Sequence, residues 1–167
     1  MLDIGYSFTN PAIDQGLVES YKPTNWDSIP DNLKDPNGDW VGAYYGVISI
    51  GVNKDLVEEV PTKFADLLDP KYQGQIALPG DPRQGASAIA TVFAASLANG
   101  GSLDDIEPGI DLLGQLADSG NLTTISDAPS GMTTGEAAII FDWNYNWLGR
   151  EEQLKKDGVN FEYFVLE

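Results

Sequence analysis

Three aromatic rings, an acid and two amides follow one another at Asp142-Trp143-Asn144-Tyr145-Asn146-Trp147. A carboxylate beside ring faces can hold an amine or another organic cation, by its charge and by the ring quadrupole. A second cluster, Arg83-Gln84-Gly85-Ala86-Ser87, opens an Ala-rich segment. If that segment is helical, its first N–H groups and its dipole attract an anion, with Ser87 adding a hydroxyl and Arg83 a charge. Each cluster also has a purely structural reading. Trp143 and Trp147 stand at the i, i+4 spacing of one helix face. Trp147 is read as core of the following helix, whereas Asp142, Trp143 and Tyr145 stay open between ligand contact and core. Ser87 is equally a small packing residue, and Arg83 equally a solvated charge.

Other chemistries are excluded by composition. The 167 residues contain no Cys and no His, which removes thiolate catalysis, Ser-His-Asp machinery and the usual zinc sites. No calcium loop of the EF-hand type is present, and no metal or cofactor is expected. Asp142 and Glu136 are the one carboxylate pair to consider for a hydrolase. They lie at opposite ends of an apolar run, and nothing activates a nucleophile. The formal net charge is −17, from 26 acidic and nine basic residues. No basic patch can form to neutralise phosphates, so nucleic acid is not an expected partner. Solubility is the simplest reading of the acidity; adaptation to high salt or a cationic ligand needs more than net charge to support it. No stretch approaches the roughly 20 apolar residues of a membrane span.

The elements that would position these clusters can be read from the pattern. Ala137 to Phe141 is an unbroken apolar run, as expected for a strand buried on both faces. In an open α/β sheet, ligands sit outside the carboxyl ends of the strands, which is where Asp142 falls. Upstream, Asp3–Phe8 predicts a short strand, and Asn10-Pro11 predicts the start of a helix to about Val18. Glu19 to Asp39 is a Pro- and Asn-rich loop with a turn at Asp35-Pro36-Asn37-Gly38. Trp40 to Val52 predicts one long strand, or two with a bend at Gly46. A short helix at Pro61–Leu68 with Thr62 as cap, a strand at Gln75–Leu78 and the Ala-rich helix to about Asn99 follow. Gly100-Gly101 ends that helix. The remaining expectations are a helix over about Asp104–Asp118, a strand at Leu122–Ile125, a helical turn at Ala128–Thr134, a helix over Trp143–Lys156 and a last strand at Asn160–Leu166. Strands alternating with helices define an α/β protein.

The order of landmarks resembles a known family. Trp40-Val41-Gly42-Ala43-Tyr44-Tyr45-Gly46 leads into Gly51-Val52-Asn53-Lys54-Asp55. Phe64-Ala65-Asp66-Leu67-Leu68-Asp69-Pro70-Lys71-Tyr72-Gln73-Gly74 and Ile76-Ala77-Leu78-Pro79 follow, and later Gly135-Glu136-Ala137. This set resembles the extracellular solute-binding proteins of ABC importers, in the type II subgroup of ferric-iron, polyamine, thiamine and phosphonate binders. The resemblance implies one lobe of a type II periplasmic-binding-protein fold, with a mixed, mostly parallel sheet flanked by helices. It implies a remnant of the first lobe with its linker at 1–39, the second lobe at 40–145, and a return helix and hinge strand at 146–167. A Met set directly against a strand-like run agrees with an excised half.

The resemblance further implies a non-enzymatic protein, periplasmic or extracellular, that captures a small organic ion between two lobes and docks on ABC permease subunits. The implied ligand residues are Arg83, Gln84, Gly85, Ala86, Ser87, Asp142, Trp143 and Tyr145. Ferric binders of the family carry adjacent tyrosines after the strand that Gly135-Glu136 opens. Here one falls on Tyr145 and its neighbour on Asn146, so iron ranks below an organic ligand. Finally, Asp3–Phe8 and Phe161–Leu166 would both be orphan strands in a half protein. Burying an apolar side chain is worth roughly 1.5–3 kcal/mol, so the two termini are expected to pair with each other or to exchange in a symmetric homodimer.

Overall fold

The computed structural model describes residues 1–125 and 127–167. They form two compact units, Met1–Tyr45 and Gly46–Glu167. The first holds one short helix, α1 (Thr9–Asp14), amid turns. α1 stops where Gly16 takes a positive φ of 67°. There Gly16 N and Leu17 N donate to the carbonyls of Ile13 and Ala12, a helix-ending pattern that glycine permits without strain. The expected turn at Asp35–Gly38 is present, with Asn37 N donating to the Asp35 carboxylate. Within this unit the ammonium groups of Lys22 and Lys34 lie 5.4 and 5.3 Å from the centre of the Trp26 ring.

The second unit is built on a five-stranded sheet of order β3-β2-β4-β1-β5. The strands are β1 (Ile48–Asn53), β2 (Ile76–Ala77), β3 (Leu122–Thr123), β4 (Ile139–Trp143) and β5 (Phe161–Phe164). β2 pairs in parallel with β3 and β4, while β1 runs antiparallel to β4 and β5. Four strands therefore share a direction and β1 opposes them. The helices are α2 (Ala86–Ala98), α3 (Glu107–Asp118), α4 (Ala128–Thr134) and α5 (Asn144–Lys156). None of them is long and apolar enough to cross a membrane.

Helices cover both faces of the sheet. Ile50, Val52, Ile139 and Phe141 point to one core with Val92 and Ala95 of α2 and Leu112, Leu113 and Leu116 of α3. Ala77 and Ile140 point to the other, with Met132 of α4 and Trp147 and Leu154 of α5. The alternation of Ile139, Ile140 and Phe141 between the two cores is the period of a strand. It explains why the β4 run is apolar without a break. Trp147 is fully buried, as its spacing predicts.

The stretch Phe64–Gly74 serves this sheet. The Asp66 carboxylate accepts Thr62 N, Lys63 N and Thr62 Oγ1 at 2.9 to 3.1 Å, so Asp66 caps the turn and Thr62 donates to it. The buried Asn121 amide donates to the carbonyls of Leu67 and Asp69 at 2.7 and 2.9 Å. Gly74 N then donates to Gly120 O, which delivers the chain into β2 beside β3.

Three expectations are corrected. Trp40–Val52 is not one strand: β1 begins at Ile48, and residues 40–47 hold only an isolated bridge between Lys34 and Val41. Its β-branched and aromatic residues favour extended backbone, but a strand exists only where a neighbour pairs with it. Pro61–Leu68 is a 3-10 turn over Phe64–Leu68 in place of an α-helix. The termini are also not two orphan strands. Phe161–Phe164 is already bonded to β1, with Asn53 opposite Phe161 and Ile50 opposite Phe164, and the Phe161 ring packs 5.4 Å from Trp147. Asp3–Phe8 is no strand, because Phe8 N donates to Gly5 O and closes a 3-10 turn at Tyr6–Phe8. Nothing in this arrangement supports the exchanged homodimer, because the two orphan strands it starts from are not present as such.

Candidate functional site

The two candidate clusters lie at the same edge of the sheet. β2 and β4 are parallel neighbours, with Ala77 opposite Ile140. Their carboxyl ends lead on one side to residues 78–85 and α2, on the other to Asp142–Tyr145 and α5. β1 is antiparallel, so its amino end reaches this edge too, where Ile48 faces Trp143. Open α/β sheets bind ligands at this kind of edge.

Trp143 and Tyr145 form a shelf. Their rings stack at 6.0 Å between centroids with planes 10° apart. Trp143 is half-buried and Tyr145 is 37% exposed. The shelf rests on a long-range clasp: Asn144 N donates to Val47 O at 2.9 Å, and Val47 N donates to Asn144 Oδ1 at 3.0 Å.

Asp142 sits differently from its neighbours. Its side chain is 7% exposed, and its oxygens are filled from within the fold. Oδ1 accepts Trp143 N at 2.8 Å and Asn146 Nδ2 at 2.9 Å. Oδ2 accepts Arg150 Nη1 at 2.7 Å. The Arg150 guanidinium also lies 5.7 Å from the centre of the Trp147 ring. The carboxylate thus ties the start of α5 to the end of β4. Asp142, Asn146 and Arg150 recur every four residues, so all three share one side of the chain as it enters α5.

At the other cluster Gly85 is the N-cap of α2, with extended backbone and no side-chain cap. The first-turn N–H groups of a helix have no partner within the helix, so Ala86 and Ser87 present donors here. Arg83 is turned onto Asp81: its Nε lies 3.0 Å from Oδ1 and its Nη2 2.7 Å from Oδ2. Gln84 Nε2 approaches the same carboxylate at 3.4 Å. Bonding to Arg83, first through its side chain and then its backbone N–H, holds the Asp81 carboxyl down to about 2. Arg83 and Gln84 therefore shape the loop that precedes α2. Ser87 is half-buried, and its carbonyl accepts the Thr91 hydroxyl at 2.9 Å.

Sequence reasoning missed Arg150, Asn146 and Asn144, which bond this edge together, and the close approach of Gly46 to Tyr145. The four-residue spacing from Asp142 to Arg150 was the available signal for two of them. A separate hollow of about 800 Å³ is lined by Glu59, Val60, Thr62, Asp66, Asp69 and Lys71 among others. None of the ligand residues expected from the sequence lines it. Lys71 there pairs with Glu59 at 2.5 Å and Asp69 at 3.4 Å, and Asp66 is consumed by its turn. Among the described residues, no group of three or more acidic side chains is placed to hold a metal ion.

A sequence profile of the bacterial extracellular solute-binding proteins matches residues 3–162, and the chain belongs to that family. Among its relatives is the spermidine/putrescine-binding periplasmic protein of Escherichia coli, 38% identical over 73 residues, which are 40% of this chain and 21% of the relative. Among solved structures, the periplasmic binding protein AfuA from Actinobacillus pleuropneumoniae, with fructose-6-phosphate bound, has a TM-score of 0.65 at 23% identity. It matches 93% of this chain and 49% of its own. A GABA receptor has a TM-score of 0.62 at 26% identity, over 96% of this chain and 50% of its own. The chain thus spans about half the length of its structural relatives.

Proposed function

We propose that this chain is the ligand-bearing half of an importer's solute receptor, taking a small organic ion at the carboxyl edge of its sheet. The observation that carries the reading is the convergence, at the ends of β2 and β4, of an aromatic shelf and an uncapped 13-residue helix. The ring faces of Trp143 and Tyr145 suit a cationic or apolar part of the ligand. The Ala86 and Ser87 N–H groups suit an anionic part. Asp142 acts behind the shelf and sets the start of α5. Arg83 and Gln84 act behind the helix start.

Residues 1–39 are then a remnant of a first lobe with its linker. The function is capture without catalysis, outside the cytoplasm, with delivery to ABC permease subunits. A ligand gripped by two lobes favours their closed arrangement by its contacts to both. The family membership, the named ligands of the relatives and the absence of His and Cys support this reading. Iron is the weaker alternative, because Asn146 stands beside Tyr145 and bonds to Asp142.

The test is calorimetric titration of the chain with spermidine, GABA and fructose-6-phosphate, beside the variants Trp143→Ala and Tyr145→Ala. At least one of the three should bind, and each variant should weaken it about tenfold, the upper worth of one aromatic contact. Binding untouched by both variants would remove the shelf from the site.

A further inference from the structure

We infer that Gly46 is a positioning residue, whose missing side chain sets where the Tyr145 ring lies on the ligand shelf. The inference rests on the shelf proposed above as a ligand surface. Gly46 precedes β1 and stands next to Val47, which is clasped to Asn144. A Cβ built on Gly46 falls 2.6 Å from both Cδ1 and Cε1 of Tyr145 and 3.0 Å from Asn144 Oδ1. Carbon atoms rest at roughly 3.5–4.0 Å, so any side chain at 46 displaces the ring by about 1 Å.

Backbone conformation does not demand glycine here. Gly46 is absent from the positive-φ glycines, so an alanine could adopt the same main chain. Glycine is required by what approaches it, as it is within strands where a second group comes close. Gly51 shows the contrasting case, since its built Cβ meets the fully buried Trp147 ring at 2.8 Å. A group at Gly51 would disturb the core. A group at Gly46 would disturb a ring that is more than a third exposed and lies at the ligand edge. Trp143 cannot follow the displaced ring, because β4 pairing and Asp142 hold its backbone. The 6.0 Å stack is what gives way.

The test is a double-mutant cycle of Gly46→Ala and Tyr145→Ala in the 167-residue chain. It is read by near-ultraviolet circular dichroism and by titration with spermidine, GABA and fructose-6-phosphate. Gly46→Ala alone should change the aromatic dichroism and weaken the bound probe about tenfold. On the Tyr145→Ala background it should do neither, because the ring it pushes is gone. If the single variant does not fold, recovery of folding in the double variant is the same positive result. Equal effects of Gly46→Ala on both backgrounds, or unchanged dichroism in the single variant, overturn the inference. If the dichroism changes as expected while Tyr145→Ala leaves every probe's affinity intact, the positioning role stands and the shelf's ligand role fails.

Discussion

Replacing Asp142 separates a structural acid from a ligand-binding one. Asp142→Ala removes a carboxylate that accepts three bonds of 2.7 to 2.9 Å. It leaves Trp143 N, Asn146 Nδ2 and the Arg150 guanidinium to find other acceptors. Breaking a fully buried ion pair costs roughly 3–5 kcal/mol. Arg150 is 34% exposed and water can reach it, which lowers its share. Two remaining bonds at about 1 kcal/mol each and a discounted ion pair give a loss of roughly 3 kcal/mol. Against a typical domain stability of about 5–15 kcal/mol, that is readily measured by urea denaturation. Arg150→Met should cost less, and the double variant should cost less than the sum of the two. If Asp142 instead faced a ligand cation, its loss would leave stability within about 0.5 kcal/mol and abolish binding. That pattern would refute the structural assignment.

Two glycines of α3 should respond in opposite ways. A Cβ at Gly109 meets the backbone of α2, at Val92 O and at 2.6 Å from Ser96 N. Neither atom can rotate away, so Gly109→Ala should cost roughly 1–3 kcal/mol by forcing the helices apart. Gly114 has open space at its Cβ position, and Gly114→Ala should gain about 0.5–1 kcal/mol from helix propensity; thermal denaturation of both variants decides it. The Asp81 carboxyl is lowered to about 2 by Arg83, below its ordinary value of about 3.9. Its lock on Arg83 is therefore complete above the ordinary carboxylate range and is lost as pH falls through about 2. In a carbon-detected titration, Arg83→Gln should move the Asp81 midpoint up toward the ordinary range, and an unmoved midpoint would exclude Arg83 as the cause.

β4 was legible because burial on both faces leaves an apolar run that no amphipathic helix produces. Trp147 was legible as core for the related reason that helix period points it inward. The extent of β1 was not legible. Residues 40–47 have strand-forming side chains, but pairing is decided by β4 and β5, which arrive much later in the chain. Strand order predicts that both clusters lie at the carboxyl ends of β2 and β4, where the fold has them, but the partners of their charged residues are not legible. Asp142 and Arg83 look like free charges in the sequence. Each is neutralised by a residue that only the folded loop or helix brings back, Arg150 in one case and Asp81 in the other. Gly46 looks like a bend in the sequence, and its approach to Tyr145 depends on β1 lying antiparallel beside β4. The pairing of β5 with β1 crosses most of the second unit, so no local pattern in the sequence reveals it.

The most direct test of the proposed site is an amide chemical-shift map of the isotope-labelled chain, titrated with spermidine, GABA and fructose-6-phosphate in turn. The bound probe should move the amides of Gly46, Ala86, Ser87, Trp143 and Tyr145, with Glu59 to Tyr72 unmoved. Shifts centred on the hollow around Asp66 and Lys71, or no shifts from any of the three probes, would contradict it.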